Sequence, residues 1–464
     1  MKQLPITKYL NSITLLAFII VLYVTRNAVP YLTSILLMLL VAYQFFNFKY
    51  AVQSLVKSFK VFFPIFLLII IELTAFCCTP FPLHPKSFFF IKNITFTSMF
   101  LFLISSIIQN MDDMKHLLKQ MGNFFIIFSI LMSLLGLWKF FYYPSFFSYY
   151  EAYKGYSYTW GSSPVSDYNF FALFLFNGLI FGLYKLIYIP EKIRYKTLFF
   201  IMLQIIIMAG VFSASRRMIL CLGVFFVGCF LLLIPRFFKK AFPNYTSHRY
   251  LVIFIFTSFL NFGIIYSFLT YFPLISEKAE KTLYINSEKV NSNIHIVSGR
   301  VNSAVFINLI KPRSAVISDG SSTNVLKPVP LTESRQKLWD LGKSIYSNYS
   351  IPQKIYGRGF LFFSLMEEET KHFYYPHHLF LSILLFSGIL GMVVFLAVMF
   401  WACYIYLFHL KKLWILFALL ILNFLFVFFS FTEFFGASFY VILLIFPFYY
   451  HYLHKKNIKT SISN

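Results

Sequence analysis

The sequence predicts an all-α polytopic membrane protein, and three observations carry that prediction. The chain is 59% hydrophobic and 22% aromatic with 12% charged residues, and its mean hydropathy is +0.73. A soluble domain of 464 residues cannot hide so much apolar surface, so lipid is its solvent. Apolar segments long enough for a hydrocarbon core, which takes roughly 20 residues per helix, recur along the chain, and we count about twelve. Finally, 40 basic against 16 acidic side chains give a net charge of +24, with the basic residues gathered at the ends of the apolar segments. On a soluble protein that charge would suggest nucleic acid; here the placement favours a membrane and no nucleic-acid partner.

In chain order the apolar segments fall near 9–25, 29–47, 61–79, 87–109, 123–142, 169–188, 197–214, 218–235, 250–272, 379–403, 413–431 and 436–453. The first has the basic flank and apolar run of a signal sequence. The TRNAVPYL that follows lacks a small-x-small cleavage site, so it reads as an uncleaved span. Phe and Tyr cluster at segment ends, as in FYYPSFFSYY, like an aromatic belt. The organisation is then residues 1–272 with spans one to nine, an outer loop over 273–376 (periplasmic on the resemblance given below), and 377–464 with spans ten to twelve and a cytoplasmic tail.

Basic residues set the orientation. With the N-terminus inside, cytoplasmic segments outnumber outer ones in Lys and Arg by about three to one, and both termini are cytoplasmic. Arg216 and Arg217 face outward against that bias, at the mouth of an apolar hairpin with no carboxylate nearby in sequence, as suits an anion arriving from outside.

The 273–376 segment is the one stretch of soluble composition. TLYINSEKVNSNIHIVSGRVNSAVFINL alternates in part, as short strands do. ESRQKLWDLGKSIY puts Leu338, Leu341 and Ile345 on one face of an amphipathic helix lying along the membrane. GRGF (Gly357, Gly359) follows, and then Pro376 before His377 and His378 at the outer entrance of the tenth span, where Gly388 and Gly391 allow close packing. A histidine at a span end is commonly an interfacial anchor, but imidazole also moves protons near neutral pH. His377, His378, Arg216 and Arg217 share one predicted side of the membrane, which favours chemistry.

These pieces form an ordered series. SASRR, ESRQKLWDLG, IYGRGF and HHLFLSILLFSGILG together resemble the O-antigen ligase and O-antigen polymerase superfamily over roughly residues 155–440. Ser215 and Arg216 match a family Ser-Arg pair, His377 the family histidine, Leu381 the leucine after it, and Gly388 and Gly391 a Gly-x-x-Gly. His378 stands where the family has asparagine. Asp167, Asn169 and Ala172 in SDYNFFA resemble an Asp-x-Asn segment, and Glu433 in FTEFF a late acidic position.

The resemblance implies transfer of a glycan from an undecaprenyl-diphosphate carrier at the periplasmic face of a bacterial inner membrane, onto a lipid A–core hydroxyl or onto another carrier-linked repeat unit. Arg216 would stabilise the diphosphate leaving group, and His377 would orient or deprotonate the acceptor hydroxyl. Arg217, Arg335, His378, Asn169 and Glu433 would bind diphosphate or glycan. A lipid-linked-sugar flippase or secondary transporter is a different class with a similar span count. Those proteins show symmetric halves and broken helices with ionisable groups near mid-membrane, whereas the charged candidates here lie at one face.

Other chemistry is less favoured. Cys77, Cys78, Cys221, Cys229 and Cys403 lie in or beside apolar segments without zinc or disulfide spacing. No metal or cofactor is expected: Asp112 and Asp113 read as a helix cap on the cytoplasmic side, and Glu367, Glu368 and Glu369 as solvated surface. Arg300, Arg313 and Arg358 are further loop cations for phosphate or acidic sugar. Glu72 and Lys92, both within spans, read as a structural ion pair.

Overall fold

The computed structural model describes residues 12–24, 30–142, 162–164, 168–188, 193–213, 215–233, 245–279, 331–370, 375–408, 414–428 and 439–462. Regular structure there is helical: α1 (Ser12–Val24), α2 (Pro30–Phe45), α3 (Phe48–Val61), α4 (Phe63–Cys77), α5 (Phe88–Ile107), α6 (Met111–Tyr142), α7 (Tyr168–Tyr188), α8 (Ile193–Phe212), α9 (Arg216–Leu233), α10 (Tyr245–Ala279), α11 (Leu331–Ser347), α12 (Ile351–Tyr356), α13 (Leu361–Thr370), α14 (Leu379–Phe408), α15 (Trp414–Val427) and α16 (Phe439–Ile462). Six of the described helices are long and apolar enough to cross a membrane, or seven if the bent pair α2–α3 counts as one span. The chain is a helical membrane protein. Asp167, Glu433, Arg300, Arg313 and the predicted strands of 282–309 lie outside the described residues.

Two compact units interleave along the chain. One contains residues 1–33 and 115–312, the other 34–114 and 313–464. In the first, α7 lies against α8, α9 and α10. Small residues let α6 and α7 approach: a β-carbon on Gly122 would sit 2.9 Å from the Phe181 ring, and one on Gly178 would fall on Ser129.

In the second unit α14 is the hub, packed against α4, α11, α12, α15 and α16. α3 was unforeseen, because residues 48–60 read as a basic connection. Asn47 caps this helix through the Tyr50 amide, and Ala51, Ser54 and Ser58 form its buried face. It leaves α2 at 116°. Lys57 closes the C-terminal end of α5, its ammonium donating to the carbonyls of Ser105 (3.0 Å) and Ile108 (2.9 Å) and to the Tyr449 hydroxyl (2.6 Å). The predicted cap at Asp112–Asp113 is present. The Asn110 side chain accepts from both amides at 2.9 Å, and Asp113 returns the bond to Asn110 and Gln109.

The Glu72–Lys92 pair does not form: Glu72 is fully buried in α4 while Lys92 is exposed on α5. Sequence spacing alone cannot tell which face of each helix meets which neighbour.

Gly388 interrupts α14 with φ 67° and ψ −163°. The break is filled by the turn between α12 and α13, where the amides of Arg358 and Gly359 donate to the carbonyls of Leu385 (3.3 Å) and Phe386 (3.0 Å). Gly357 and Gly359 also have positive φ. A β-carbon at Gly388 would lie 2.6 Å from the Gly357 nitrogen, and one at Gly357 would collide with the Phe386 carbonyl. Gly388 therefore does more than admit a neighbouring helix. It lets two backbones interlock.

Candidate functional site

The predicted site residues divide between the two units. Asn169, Arg216 and Arg217 belong to the first, and Arg335, His377 and His378 to the second.

In the first unit, α9 begins at a serine cap. The Ser215 hydroxyl accepts from the Met218 amide at 3.3 Å and donates to the Asn169 side-chain oxygen at 3.0 Å. Asn169 stands in the first turn of α7, so two motifs 46 residues apart meet at one point. Ser213, which ends α8, steadies the approach by accepting from the Ser215 amide (3.3 Å) and donating to the Gly210 carbonyl (2.6 Å). Arg216 and Arg217 follow directly, half-buried in the first turn of α9. A first helical turn that carries two arginines suits an anion, above all one with phosphate geometry.

What anchors the segment before α7 could not be read from residue spacing. Lys139 is completely buried at the end of α6. Its ammonium donates to the Ser163 carbonyl at 2.6 Å. Ser162 joins the end of α8 through its amide to Phe212 (3.0 Å) and its hydroxyl to Ala209 (2.7 Å). Ser162 and Ser163 are thus pinned by two helix ends, and a Ser-Ser-Pro run inside an aromatic stretch was the available clue.

In the second unit the histidine pair occupies the entrance to α14. His377 has φ 52°, the one non-glycine residue with positive φ among those described. Its ring lies against Tyr375, with centroids 4.0 Å apart. A strained backbone at a polar residue marks positions where the surroundings over-determine the geometry, as functional sites do.

His378 caps the helix. Its Nδ1 accepts from the Leu381 amide at 3.3 Å, so this nitrogen carries no proton and Nε2 does. The ring is enclosed edge-on by Trp339 of α11 (5.3 Å, 87°) and by Phe428 (4.6 Å, 63°). Burial holds its pKa below the ordinary histidine value, with Lys343 adding in the same direction against an opposing backbone hydrogen bond. Asparagine is among the best cap residues, so the cap accounts for what an asparagine would contribute here.

α11 is the amphipathic helix the sequence predicts, with Leu338 and Ile345 buried and Leu341 half-buried. Gly342 lets it close on α14: a β-carbon there would meet Leu381 at 2.9 Å and Pro376 at 3.4 Å. Arg335 is half-buried one turn before Trp339, on the same helix face. Glu367 accepts from His84 at 2.8 Å, while Glu368 and Glu369 are exposed. Among the described residues no three His, Cys, Asp or Glu side chains gather as a metal would require. No family model, curated protein or solved structure matches this chain.

Proposed function

We propose that this chain is a twelve-span glycosyltransferase of the bacterial inner membrane, with both termini cytoplasmic, resembling the O-antigen ligases. It takes a glycan from undecaprenyl diphosphate at the periplasmic face and joins it to a lipid A–core hydroxyl. The observation that carries the reading is His377, an imidazole in a left-handed backbone conformation at the mouth of α14, braced by Tyr375 on one side and by the His378 cap on the other.

In the proposed reaction the acceptor oxygen attacks the anomeric carbon as the bond from that carbon to the diphosphate oxygen breaks. The hydroxyl proton passes to His377, and the negative charge gathering on the diphosphate is met by Arg216 and Arg217. General-base help of this kind is worth about 10²–10⁴ in rate, and one fixed donor to a developing anion about 10²–10³. A polymerase joining carrier-linked repeat units uses the same chemistry with a different acceptor.

The broken α14 is the feature that favours a flippase or transporter, whose half-helices expose carbonyls to cargo. Here the carbonyls at the break already accept from Arg358 and Gly359, which supports one-sided chemistry instead.

The test is complementation of a deletion strain with wild type, His377→Asn or Arg216→Ala, reading surface glycans by size. Asparagine tolerates positive φ, so His377→Asn should accumulate in the membrane at wild-type level yet leave lipid A–core without polymer. Full-length glycan on lipid A–core from both variants would refute the proposal. In the deletion strain, bare lipid A–core with polymer left on the carrier indicates a ligase, a single repeat unit indicates a polymerase, and loss of lumenal delivery in vesicles a flippase.

A further inference from the structure

The circumference of α3 divides among four kinds of side chain. Ala51, Ser54, Ser58 and Val61 are buried against the protein. Phe48, Val52, Leu55, Val56 and Phe59 are 41–70% exposed although apolar. Lys49, Gln53 and Lys60 are exposed too, while Tyr50 and Lys57 turn back to hydrogen-bond carbonyls of α5 and its cap. At about 100° per residue, the exposed apolar group fills a sector about 100° wide, and the two lysines with Gln53 a narrower sector beside it.

This helix lies across the end of another. The segment Pro85–Ile107, which contains α5, is long and apolar enough to cross a membrane, and exposed Gln109 and Asn110 follow it. Tyr50 and Lys57 stand about 10 Å apart along α3, seven residues at 1.5 Å each. Yet Tyr50 reaches the Ser106 carbonyl and Lys57 those of Ser105 and Ile108, all in the last turn of α5 or its cap. A helix running alongside α5 would spread such contacts over two turns. α3 also leaves α2 at 116°. It therefore sits at the level where hydrocarbon gives way to headgroups.

Charge separates α3 from an ordinary lipid-facing flank. On α2 the exposed Ile35, Met38 and Leu39 are all apolar. Lys49 and Lys60 lie three turns apart along one side of α3, and neither pairs with a carboxylate among the described residues. Asp113, just past α5, accepts from the Gln109 and Asn110 amides instead. Lysines along one border of a helix and apolar side chains on the next suit a surface of anionic lipid, which takes up both.

We infer that α3 lies in the membrane plane and binds anionic phospholipid, its apolar stripe among acyl chains and Lys49 and Lys60 on headgroup phosphates. On the charge-based topology this is the cytoplasmic leaflet.

The experiment uses the full-length chain with its five cysteines replaced by serine or alanine, in vesicles of phosphatidylcholine with a minor share of phosphatidylglycerol. Single cysteines at Gln53, Leu55 and Phe59 carry a nitroxide, relaxed in turn by oxygen and by a water-soluble nickel chelate. Oxygen should dominate at 55 and 59, and the nickel chelate at 53. Nickel dominance at 55 and 59 would put α3 in water, and shielding from both relaxants would mark a protein partner; either overturns the inference. A bimane on a cysteine at Val56, where the two stripes meet, then reads lipid choice, with bromine on the acyl chains of one lipid at a time. Brominated phosphatidylglycerol should quench more per molecule than brominated phosphatidylcholine. Lys49→Gln with Lys60→Gln, both at exposed positions, should weaken that preference by about fivefold for each lysine. Equal quenching by the two lipids in the wild-type background, or a preference unchanged in the double variant, defeats the anionic partner.

Discussion

At the scale of single residues, His378 is the most tightly specified group described. Its cap needs Nδ1 unprotonated, and burial favours that neutral form. The histidine pKa is lowered on folding, so the unfolded chain binds the proton more tightly. The stabilisation is therefore complete above the unfolded value near 6.5 and is lost as pH falls through the folded value. Melting of the detergent-solubilised protein from pH 8 to pH 5 should show this loss for wild type. His378→Asn keeps an acceptor without a titrating group and should flatten that dependence, while His378→Ala should cost about 1 kcal/mol at pH 8. An unchanged acid limb in His378→Asn would show that the cap is not its source. The candidate residues themselves were legible in sequence, since charge and imidazole at the ends of apolar segments are rare enough to notice. Their partners were not. Nothing in the spacing of Trp339, Tyr375 or Lys139 says that one would enclose His378, another lie on His377 and the third disappear into the end of α6.

Helices and turns show the same division between local and distant information. The α11 face and the Asn110–Asp113 cap were readable because both are settled within a few residues of chain. The break in α14 was not, because Gly388 takes its conformation from a turn some 30 residues away in sequence. Glycines here divide into two kinds with opposite consequences. At Gly357 and Gly388 an alanine meets both positive φ and a neighbouring backbone, so each Gly→Ala change should destabilise by about 2 kcal/mol or more. Gly228 and Gly263 lie in helices with nothing within 4 Å of a built β-carbon. Alanine there should leave melting unchanged or raise it, since glycine in a helix costs about 1 kcal/mol relative to alanine. Equal losses at all four positions would remove the interlock as the explanation.

For the whole molecule, composition alone announced a helical membrane protein, and the described helices agree. The grouping into units did not follow from it, since each unit draws on both early and late parts of the chain. Orientation is the property to test at this scale. In spheroplasts an impermeant maleimide should label a cysteine placed at Lys86 and spare one placed at Lys49, and the reverse pattern would invert the charge-based topology. Lys57 shows how far a basic residue can be withdrawn from that electrostatic reckoning. Its three hydrogens point as a tripod into oxygens supplied by the far end of one helix and by a tyrosine 392 positions along the chain. A flat guanidinium with five hydrogens has no place in such a socket, so at this position arginine is not the mild replacement for lysine that a substitution table suggests.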